Sequence, residues 1–585
     1  MGKIFRYFKA REWLLVIGCA LFVFAEVFVE LKMPEYVEAI TLCIEGGSPV
    51  KEIWMNGLYM LLCAIGAAAC LLVVGFFSAM LGARLARRLR DEMYDKVMSF
   101  SLADINKFSM ATLITRATND VTQVQVLFAM GAQFMFRAPV MAIWAIVKVV
   151  QKSWQWSAMT AGAVVALIIL AGVIMLVALP KFKKIQILTD NINRVMREQL
   201  VGVRVVRAYN AERFAEGKFG VANDELTRVN LSVNRALITI NPLINIVMAG
   251  ATIGVVLIGA MLVNSAVGFD VRSGFLADTM SMVQYVTQVL SGFLMLAMCF
   301  IMAPRALIAA RRVTEILDVT PSILDPEIPA KAPADVRGEV EFRNVTFRYP
   351  DMSGDVIRDI SFKAERGQTV AFIGSTGSGK SSLINLIPRF YDVSEGQVLV
   401  DGVDVREYAQ KDLRKKIGYV PQQGVLFSGT VRDNVNYGDG AEIFGEDDIR
   451  NALEIAQADF VDGMENGLDS TIAQGGSNVS GGQRQRLAIA RAICRKPEIY
   501  IFDDSFSALD FKTDKALRRR LNEATADATK LIVAQRVGTI LDADKIIVLD
   551  GGEQVGSGTH KELMSSCDVY REIALSQLSE EELAC

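Results

Sequence analysis

Apolar and polar positions divide this chain into two parts that meet near residue 310. Before that point, several apolar runs reach the roughly 20 residues that a helix needs to cross a bilayer. There are six, and they span Trp13–Leu31, Trp54–Leu81, Gly131–Val150, Ser157–Leu179, Ile238–Val263 and Phe275–Ala303. After that point, short apolar runs alternate with turn residues and amphipathic stretches, which is typical of a soluble α/β domain. The pattern therefore predicts an α-helical membrane domain of six transmembrane helices followed by an α/β domain.

Basic residues lie on one side of the predicted spans. Those flanking spans one, two, four and six are Lys3, Arg6, Lys9, Arg11, Arg84, Arg87, Arg88, Arg90, Lys181, Lys183, Lys184, Arg305, Arg311 and Arg312. The loop between the first two spans is acidic instead. The positive-inside bias therefore predicts a multi-pass protein of the cytoplasmic membrane with both termini in the cytoplasm.

Two long polar segments, Ala83–Met130 and Pro180–Thr239, contain few helix breakers. We expect the spans to continue through them as helices beyond the bilayer. Each segment would turn back where it can touch a cytoplasmic domain, and the candidate turns are Ala103–Ser109 and Ala208–Ala215.

Composition agrees with a membrane protein. Of the 585 residues, 52% are hydrophobic, which is too apolar for an ordinary soluble enzyme. The net charge is only −3, so nothing in the overall charge predicts a nucleic-acid partner.

Some ionisable residues lie inside the predicted spans. Glu26 and Glu30 are one helical turn apart on the first span, and Lys148 lies on the third. Ionisable side chains at membrane depth favour a substrate or ion site. A structural ion pair is the alternative.

The sixth span carries a polar and flexible stripe. Its members recur at helical spacing and so share one face; they are Gln284, Gln288, Ser291, Met295 and Met298. Such a face suits a cavity wall that accepts varied apolar ligands. Helix–helix packing is the alternative.

Four prolines between residues 321 and 333 mark a change of composition. We therefore predict a membrane domain over residues 1–318, a linker over 319–337 and a second domain over 338–585.

A glycine-rich loop follows the predicted strand Thr369–Ile373 and precedes a helix. It reads Gly374-Ser375-Thr376-Gly377-Ser378-Gly379-Lys380-Ser381-Ser382 and fits G-x-x-x-x-G-K-[ST]. In this setting backbone N–H groups surround phosphates, Lys380 reaches the terminal phosphates and the Ser381 hydroxyl ligates Mg²⁺. Asp503 ends a buried apolar strand and would hold Mg²⁺ through water. ATP and Mg²⁺ are therefore the predicted cofactors.

Further motifs follow this loop in a set order. They are Gln422 in Val-Pro-Gln-Gln, the segment Ser480-Gly481-Gly482-Gln483, and Ser507-Ala508-Leu509-Asp510. Together with the phosphate loop and Asp503, their order and spacing resemble those of the ABC transporters. The resemblance extends over the entire chain and is to the exporters of that family, with six spans followed by one ATP-binding cassette.

The resemblance implies a role for several residues. Tyr349 would stack on the adenine, and Gln422 would contact Mg²⁺ and sense the membrane domain. Two cassettes of this family sandwich two ATP molecules head to tail. The signature segment Ser480–Gln483 would thus clamp the γ-phosphate of ATP held by the opposite cassette, and Asp510 would lie at the interface between them.

The chain departs from the family pattern at its catalytic end. Asp504 stands where the family usually has a general-base glutamate, and its carboxylate is one methylene shorter. Gln535 stands at the usual switch-histidine position; the single histidine of the chain, His560, lies near the C-terminus. The segment Ala473–Gly476 also differs from the usual G-E-R-G. We expect the chain to bind ATP well and to hydrolyse it poorly at its own site.

This asymmetry resembles one subunit of the heterodimeric bacterial multidrug exporters. The resemblance implies ATP-driven efflux of small hydrophobic or amphipathic substrates across the bilayer, together with a second, non-identical half-transporter. The intact signature would complete the partner's active site. Two alternatives stay open: a non-transporting ATP-gated sensor or channel, and a homodimeric exporter with two weak sites.

Overall fold

The computed structural model describes residues 2–333, 336–438 and 444–578. Two residues of the predicted linker, 334–335, and the end of the predicted second domain, 579–585, lie outside the described residues, as does the side chain of Lys183. The chain forms two compact units, one of residues 1–98 and 111–319, the other of residues 99–110 and 320–585.

The first unit is helical. A short 3₁₀ turn, Ile4–Tyr7, precedes α1, and two π-helical turns, Arg116–Asp120 and Leu127–Gly131, flank α6. The helices of residues 1–319 are α1 (Ala10–Glu30), α2 (Met33–Glu45), α3 (Val50–Met98), α4 (Leu102–Phe108), α5 (Met110–Thr115), α6 (Val121–Val126), α7 (Ala132–Lys152), α8 (Trp154–Val201), α9 (Val203–Ala208), α10 (Glu212–Ile238), α11 (Ile240–Ser265) and α12 (Phe269–Leu317).

The predicted spans lie within these helices. By length and composition, five described helical stretches are able to cross a membrane, and the fourth predicted span begins in the apolar run Trp154–Leu170 of α8. Three helices are far longer than a span. The 49 residues of α3 measure roughly 74 Å at 1.5 Å per residue, against a hydrocarbon core of about 30 Å. The prediction that spans continue as helices beyond the bilayer is confirmed.

Apolar side chains both fill the first unit and cover its outside. α1 packs on α3, α7 packs on α12, and α8 packs on α10 and α11. Buried residues such as Val27, Ala145 and Val289 form the core of this bundle. Large apolar side chains on the outside are nonetheless exposed, among them Leu72 at 76% and Phe76 at 60%. An apolar surface of this extent is the property of a lipid-facing protein.

The second unit is built on two sheets. Its strands are β1 (Val340–Phe347), β2 (Ile357–Ala364), β3 (Thr369–Gly374), β4 (Glu395–Val400), β5 (Val403–Asp404), β6 (Ile417–Val420), β7 (Gly429–Thr430), β8 (Thr471–Ile472), β9 (Ile499–Asp503), β10 (Thr529–Val533), β11 (Lys545–Asp550) and β12 (Glu553–Gly558). Its further helices are α13 (Lys380–Ile384), α14 (Gln410–Lys415), α15 (Val431–Val435), α16 (Glu446–Ile455), α17 (Gly481–Cys494), α18 (Phe511–Ala524), α19 (His560–Ser566) and α20 (Asp568–Gln577).

The larger sheet positions the site. Its order is β12-β11-β3-β10-β9-β6, parallel except for the β11–β12 pair. Successive side chains of β3 point to opposite faces: Val370 and Phe372 join the core shared with the antiparallel sheet β2-β1-β4-β5, whereas Ala371 and Ile373 join the helical core. Both faces are covered, so the carboxyl ends of β3, β9 and β10 meet at one edge, and ligands bind at such edges.

Residues 99–110 group with the second unit, although they fall within the predicted membrane domain 1–318. Ser101 caps α4 by accepting from the backbone N–H of Asp104. The Asp104 carboxylate accepts from the backbone N–H of Ser322 at 3.0 Å and from its hydroxyl at 3.1 Å. Ala103 packs on the core beneath the smaller sheet. The predicted contact turn Ala103–Ser109 is confirmed.

The second predicted turn, Ala208–Ala215, lies between α9 and α10 of the first unit. Tyr209 and Phe214 there are 80% and 77% exposed. What this turn contacts stays a prediction.

Candidate nucleotide site

The glycine-rich loop joins β3 to α13, as predicted. Gly374, Gly377 and Gly379 all have positive φ, a backbone conformation that favours glycine. A Cβ on Gly374 would lie 1.9 Å from the carbonyl oxygen of Leu549, so this position admits no side chain. A Cβ on Gly377 would meet nothing within 4 Å, and the crest Ser375–Gly377 is exposed. The loop therefore has room above its backbone for a phosphate chain.

Lys380 lies under this loop. Its side chain is buried, and its Nζ donates to the carbonyl oxygens of Gly374 at 2.8 Å and Ser375 at 2.7 Å, and to Ser378 Oγ at 3.2 Å. Burial lowers the pKa of this amine, and the carboxylates of Asp503 and Asp504 oppose that shift. A cation held at the loop is what a terminal phosphate needs.

Ser381 and Asp503 form the candidate magnesium site. Ser381 Oγ donates to Asp503 Oδ1 at 2.7 Å. Asp503 is buried at the end of β9, and burial raises the pKa of its carboxyl. The described residues hold no group of three or more His, Cys, Asp or Glu that could bind a metal. The Ser381 hydroxyl, the Asp503 carboxylate and the Gln422 amide are nevertheless oxygen donors that suit Mg²⁺. This ion keeps several waters and takes phosphate oxygens as ligands.

Asp504 is held by two amides. Its backbone has φ 46°, and its carboxylate oxygen Oδ2 accepts from Gln535 Nε2 at 2.9 Å and from Gln422 Nε2 at 3.3 Å. Ser507 donates to its backbone carbonyl. Burial is the main cause that raises the pKa of the Asp504 carboxyl, and the bond from Gln422 opposes it. Asp504 at the general-base position, Gln535 at the switch-histidine position and Gln422 therefore meet, joined through a single oxygen.

A residue that the sequence did not point to fixes this cluster from the C-terminal helix. Gln577 at the end of α20 donates through Nε2 to the carbonyl oxygen of Gln535 at 2.9 Å. Its Oε1 accepts from the backbone N–H of Val537 at 2.8 Å. This pair of bonds clamps the segment that carries Gln535. His560, by contrast, is buried against the Tyr570 hydroxyl at 2.7 Å and belongs to the packing of α19 on α20.

Tyr349, the predicted adenine-stacking residue, is anchored at the start of the α13 region. Its hydroxyl lies 2.8 Å from Ser382 Oγ. Its ring meets the rings of Phe347 and Tyr391 edge-on, with centroids 4.8 and 5.1 Å away. Tyr349 is thus tied to the helix that follows the phosphate loop.

The signature segment is built as a helix start. Ser480 caps α17: its Oγ accepts from the Gln483 N–H, and Gln483 Oε1 accepts from the Ser480 N–H at 2.8 Å. Ser480 and Gly481 are exposed, and a Cβ on Gly481 would meet nothing within 4 Å. Gly482 lies against the Ala508 carbonyl. Asp510 caps α18 by accepting from the Thr513 N–H and is exposed. Each cap bonds within its own helix start, and the described residues show no hydrogen bond from either cap to the phosphate loop.

The membrane residues flagged by the sequence have partners. Arg137 on α7 donates to Glu30 at 2.9 Å and lies 3.4 Å from Glu26, and Lys148 contacts Glu35 at 2.7 Å. The short bond to Arg137 favours the structural alternative for Glu30, whereas Glu26 lies farther from the guanidinium. The sequence did not point to Arg137.

The stripe on the sixth span is only partly covered. Four of its members, Gln284, Gln288, Ser291 and Met295, are half-buried, and Met298 is 58% exposed. A face left open in this way agrees with a cavity wall and with packing against a second chain.

Comparison with known proteins identifies the family of the chain and proteins that share its fold. A family model described as ABC transporter matches residues 357–507, and one described as ABC transporter transmembrane region matches residues 16–289. An uncharacterized ABC transporter ATP-binding protein of Mycobacterium tuberculosis is 42% identical over 88% of this chain and 86% of its own length. An ATP-dependent lipid A-core flippase of Aromatoleum aromaticum is 31% identical over 86% of this chain and 82% of its own. The solved structure of a bacterial Atm1-family ABC exporter with ATP bound matches with a TM-score of 0.79 at 25% identity, covering 97% of this chain and 98% of that one.

Proposed function

The chain belongs to the ABC transporter family, and on that premise we propose that it is the weakly hydrolysing half of a heterodimeric exporter. It is a multi-pass membrane protein with an ABC ATPase domain, and its activity is ATP-driven export. ABC exporters act as dimers in a lipid bilayer. The proposal concerns which dimer this chain forms and which of its two nucleotide sites turns over.

The state of Asp504 is the observation that carries the proposal. A general base must reach the attacking water, and the aspartate side chain is one methylene shorter than the glutamate it replaces. Its Oδ2 is already engaged by the amides of Gln535 and Gln422. Without a positioned base, the rate falls by about 10²–10⁴. ATP would therefore stay bound at this site and be hydrolysed only slowly.

Gln535 supports the same reading. Its amide is able to donate to a γ-phosphate but carries no proton into the reaction. The signature segment, in contrast, keeps an exposed serine cap and an unobstructed Gly481. An intact signature beside an impaired base is useful only to a site built on another phosphate loop. We therefore place the fast site on the partner's loop, completed by this chain's Ser480–Gln483.

We propose a role for each residue that would hold the nucleotide. Lys380 and the loop Gly374–Gly379 would hold phosphates, Ser381 and Asp503 with Gln422 would hold Mg²⁺, and Tyr349 would support the adenine. Bound Mg²⁺ supplies charge neutralisation at the phosphates. The residues of this chain would hold and orient the nucleotide, but they would not provide a base that reaches the attacking water.

The substrate class that we propose is small, hydrophobic or amphipathic molecules. Support comes from the half-buried stripe on α12 and from relatives named lipid A-core flippase. The proposed location is the cytoplasmic membrane with both termini in the cytoplasm, because basic residues flank the spans on one side.

ATPase measured with and without a partner tests the proposal. The chain alone, reconstituted in lipid, should bind Mg²⁺–ATP yet turn it over slowly, and activity should rise when the chain copurifies with a second half-transporter. Lys380→Ala is the control, since it removes the cation at the phosphates. Robust, cooperative turnover by the chain alone would establish a homodimeric exporter. ATP binding without transport in any pairing would establish a sensor or channel.

A further inference from the structure

One charged cluster lies within the first unit, where α1 packs on α7. Arg137 Nη2 donates to Glu30 Oε2 at 2.9 Å and lies 3.4 Å from Glu26 Oε1, which is beyond a normal ion-pair hydrogen bond. The Glu26 side chain is only 2% exposed, against 22% for Glu30 and 16% for Arg137. Glu26 is thus the innermost member and the one without a short bond to the guanidinium.

The charges of this cluster do not cancel if every group is ionised. Two carboxylates share one guanidinium. The facing stretch of α3, from Gly66 to Val74, holds only Cys70 as a titratable residue. The neighbouring ion pairs do not supply the missing cation. Lys32 and Lys148 both bond to Glu35, and Lys152 bonds to Glu38 and Asp278, so the paired groups of this region comprise five carboxylates and four cations. A net negative charge would remain inside the membrane, where such charges are costly.

The unpartnered atoms point the same way. Within the part of the chain that the structure describes, Glu26 Oε2 is buried with no hydrogen-bond partner, as is Arg137 Nε. Glu26 is covered by its own chain, so a partner half has no access to it in this packing. An ammonium group or a metal ion would need volume and several acceptors at Oε2, and a side chain that is 2% exposed offers neither. A proton needs no volume.

We propose that the Glu26–Glu30–Arg137 cluster is a proton-binding site, with one proton carried on Oε2 of Glu26 while α1 is packed on α7. The proton makes the cluster neutral, leaving Glu30 and Arg137 as a single ion pair. Separation of α1 from α7 would hydrate Glu26 and release the proton to water. Since the proton is bound in the packed state, acid favours packing, and that preference is lost as pH rises. The inference does not depend on which partner the chain has.

Infrared spectroscopy of the full chain in lipid nanodiscs tests the site directly. The matched variants are Glu26→Gln and Glu30→Gln, the same change one helical turn apart. At neutral pH, the wild-type minus E26Q spectrum should contain the carbonyl band of a protonated carboxyl. The wild-type minus E30Q spectrum should contain carboxylate bands. Carboxylate bands in the E26Q difference would overturn the proposal.

Stability gives a second readout that needs no spectral assignment. Glutamine mimics a protonated glutamate, so E26Q should unfold at the wild-type temperature or above and lose part of the wild-type pH dependence. E30Q breaks the ion pair and should unfold at a lower temperature. If E26Q is destabilised as much as E30Q, or fails to fold while E30Q folds, Glu26 is an ionised partner of Arg137 and there is no proton site.

Discussion

The clamp between the C-terminal helix and the catalytic cluster gives a sharp prediction. Gln577→Ala removes both bonds that hold the segment after β10, one to the Gln535 carbonyl and one from the Val537 N–H. We expect the segment to loosen while the fold stays intact, because the Gln577 side chain is exposed and fills no core. Gln535 would then hold its position beside Asp504 less often.

The size of the effect follows from the number of bonds. One protein hydrogen bond contributes about 0.5–1.5 kcal/mol net. Because water replaces part of both bonds at an exposed side chain, we expect about 1 kcal/mol in total, which is roughly a fivefold change in an equilibrium constant. In the proposed mechanism, this site binds ATP but hydrolyses it slowly. Loss of the two Gln577 bonds should therefore raise the Kd for Mg²⁺–ATP and leave kcat nearly unchanged.

The assay is titration of the reconstituted chain with a fluorescent ATP analogue, with ATPase measured in parallel. Ser576→Ala is the matched control: among the described residues, the Ser576 hydroxyl donates to the Ile573 carbonyl of its own helix. Gln577→Glu keeps the acceptor for Val537 and loses the donor to Gln535, so its Kd should lie between wild type and Q577A. A Kd for Q577A equal to that of S576A would refute the clamp. A fall in kcat with unchanged Kd would instead place Gln535 in catalysis.

Three further predictions address the cassette and the membrane stripe. In the assembled pair, Asp504→Asn should change transport by about twofold at most, because base catalysis at this site is already weak. Gly481→Asp should nearly abolish ATPase activity. Equal losses in the two variants would contradict the asymmetry. Because burial raises the pKa of Asp504, its ionisation costs stability as pH rises through that pKa. Thermal unfolding without nucleotide should therefore show D504N stabilised at neutral pH, by a margin that shrinks in acid; a margin independent of pH would contradict this. Bulky replacements at Gln284, Gln288 and Met295 should alter which substrates are exported while basal ATPase stays within a few-fold; cysteines there that no aqueous or substrate-like reagent labels in any nucleotide state would show a packing face.

Much of the fold follows from local patterns in the sequence. The spans could be predicted because the bilayer sets a minimum apolar length, and their helical extensions because Ala83–Met130 contains few breakers. The phosphate loop could be placed because its glycines need positive φ between a strand and a helix. In each case the sequence signal lies within one short, continuous segment.

What the sequence did not give depends on contacts between distant segments. Arg137 is 107 residues from Glu30, and no local pattern pairs them. Gln577 lies 42 residues beyond Gln535, at an exposed position of its helix, where a glutamine is usually a surface residue. The grouping of residues 99–110 with the second unit rests on Asp104 bonding to Ser322. Each of these contacts depends on tertiary packing, which neither a hydrophobic periodicity nor a short motif encodes.

Nucleotide trapping in the native complex tests the central claim most directly. The tagged chain is purified with whatever half-transporter it binds, turned over with a photoreactive ATP analogue and vanadate, and illuminated. Each chain is then analysed for the nucleotide attached to its own phosphate loop. We predict unhydrolysed ATP on the loop that contains Lys380 and trapped ADP on the partner's loop. ADP trapped on the Lys380 loop as readily as on the partner's would show that Asp504 and Gln535 support catalysis and would contradict the account.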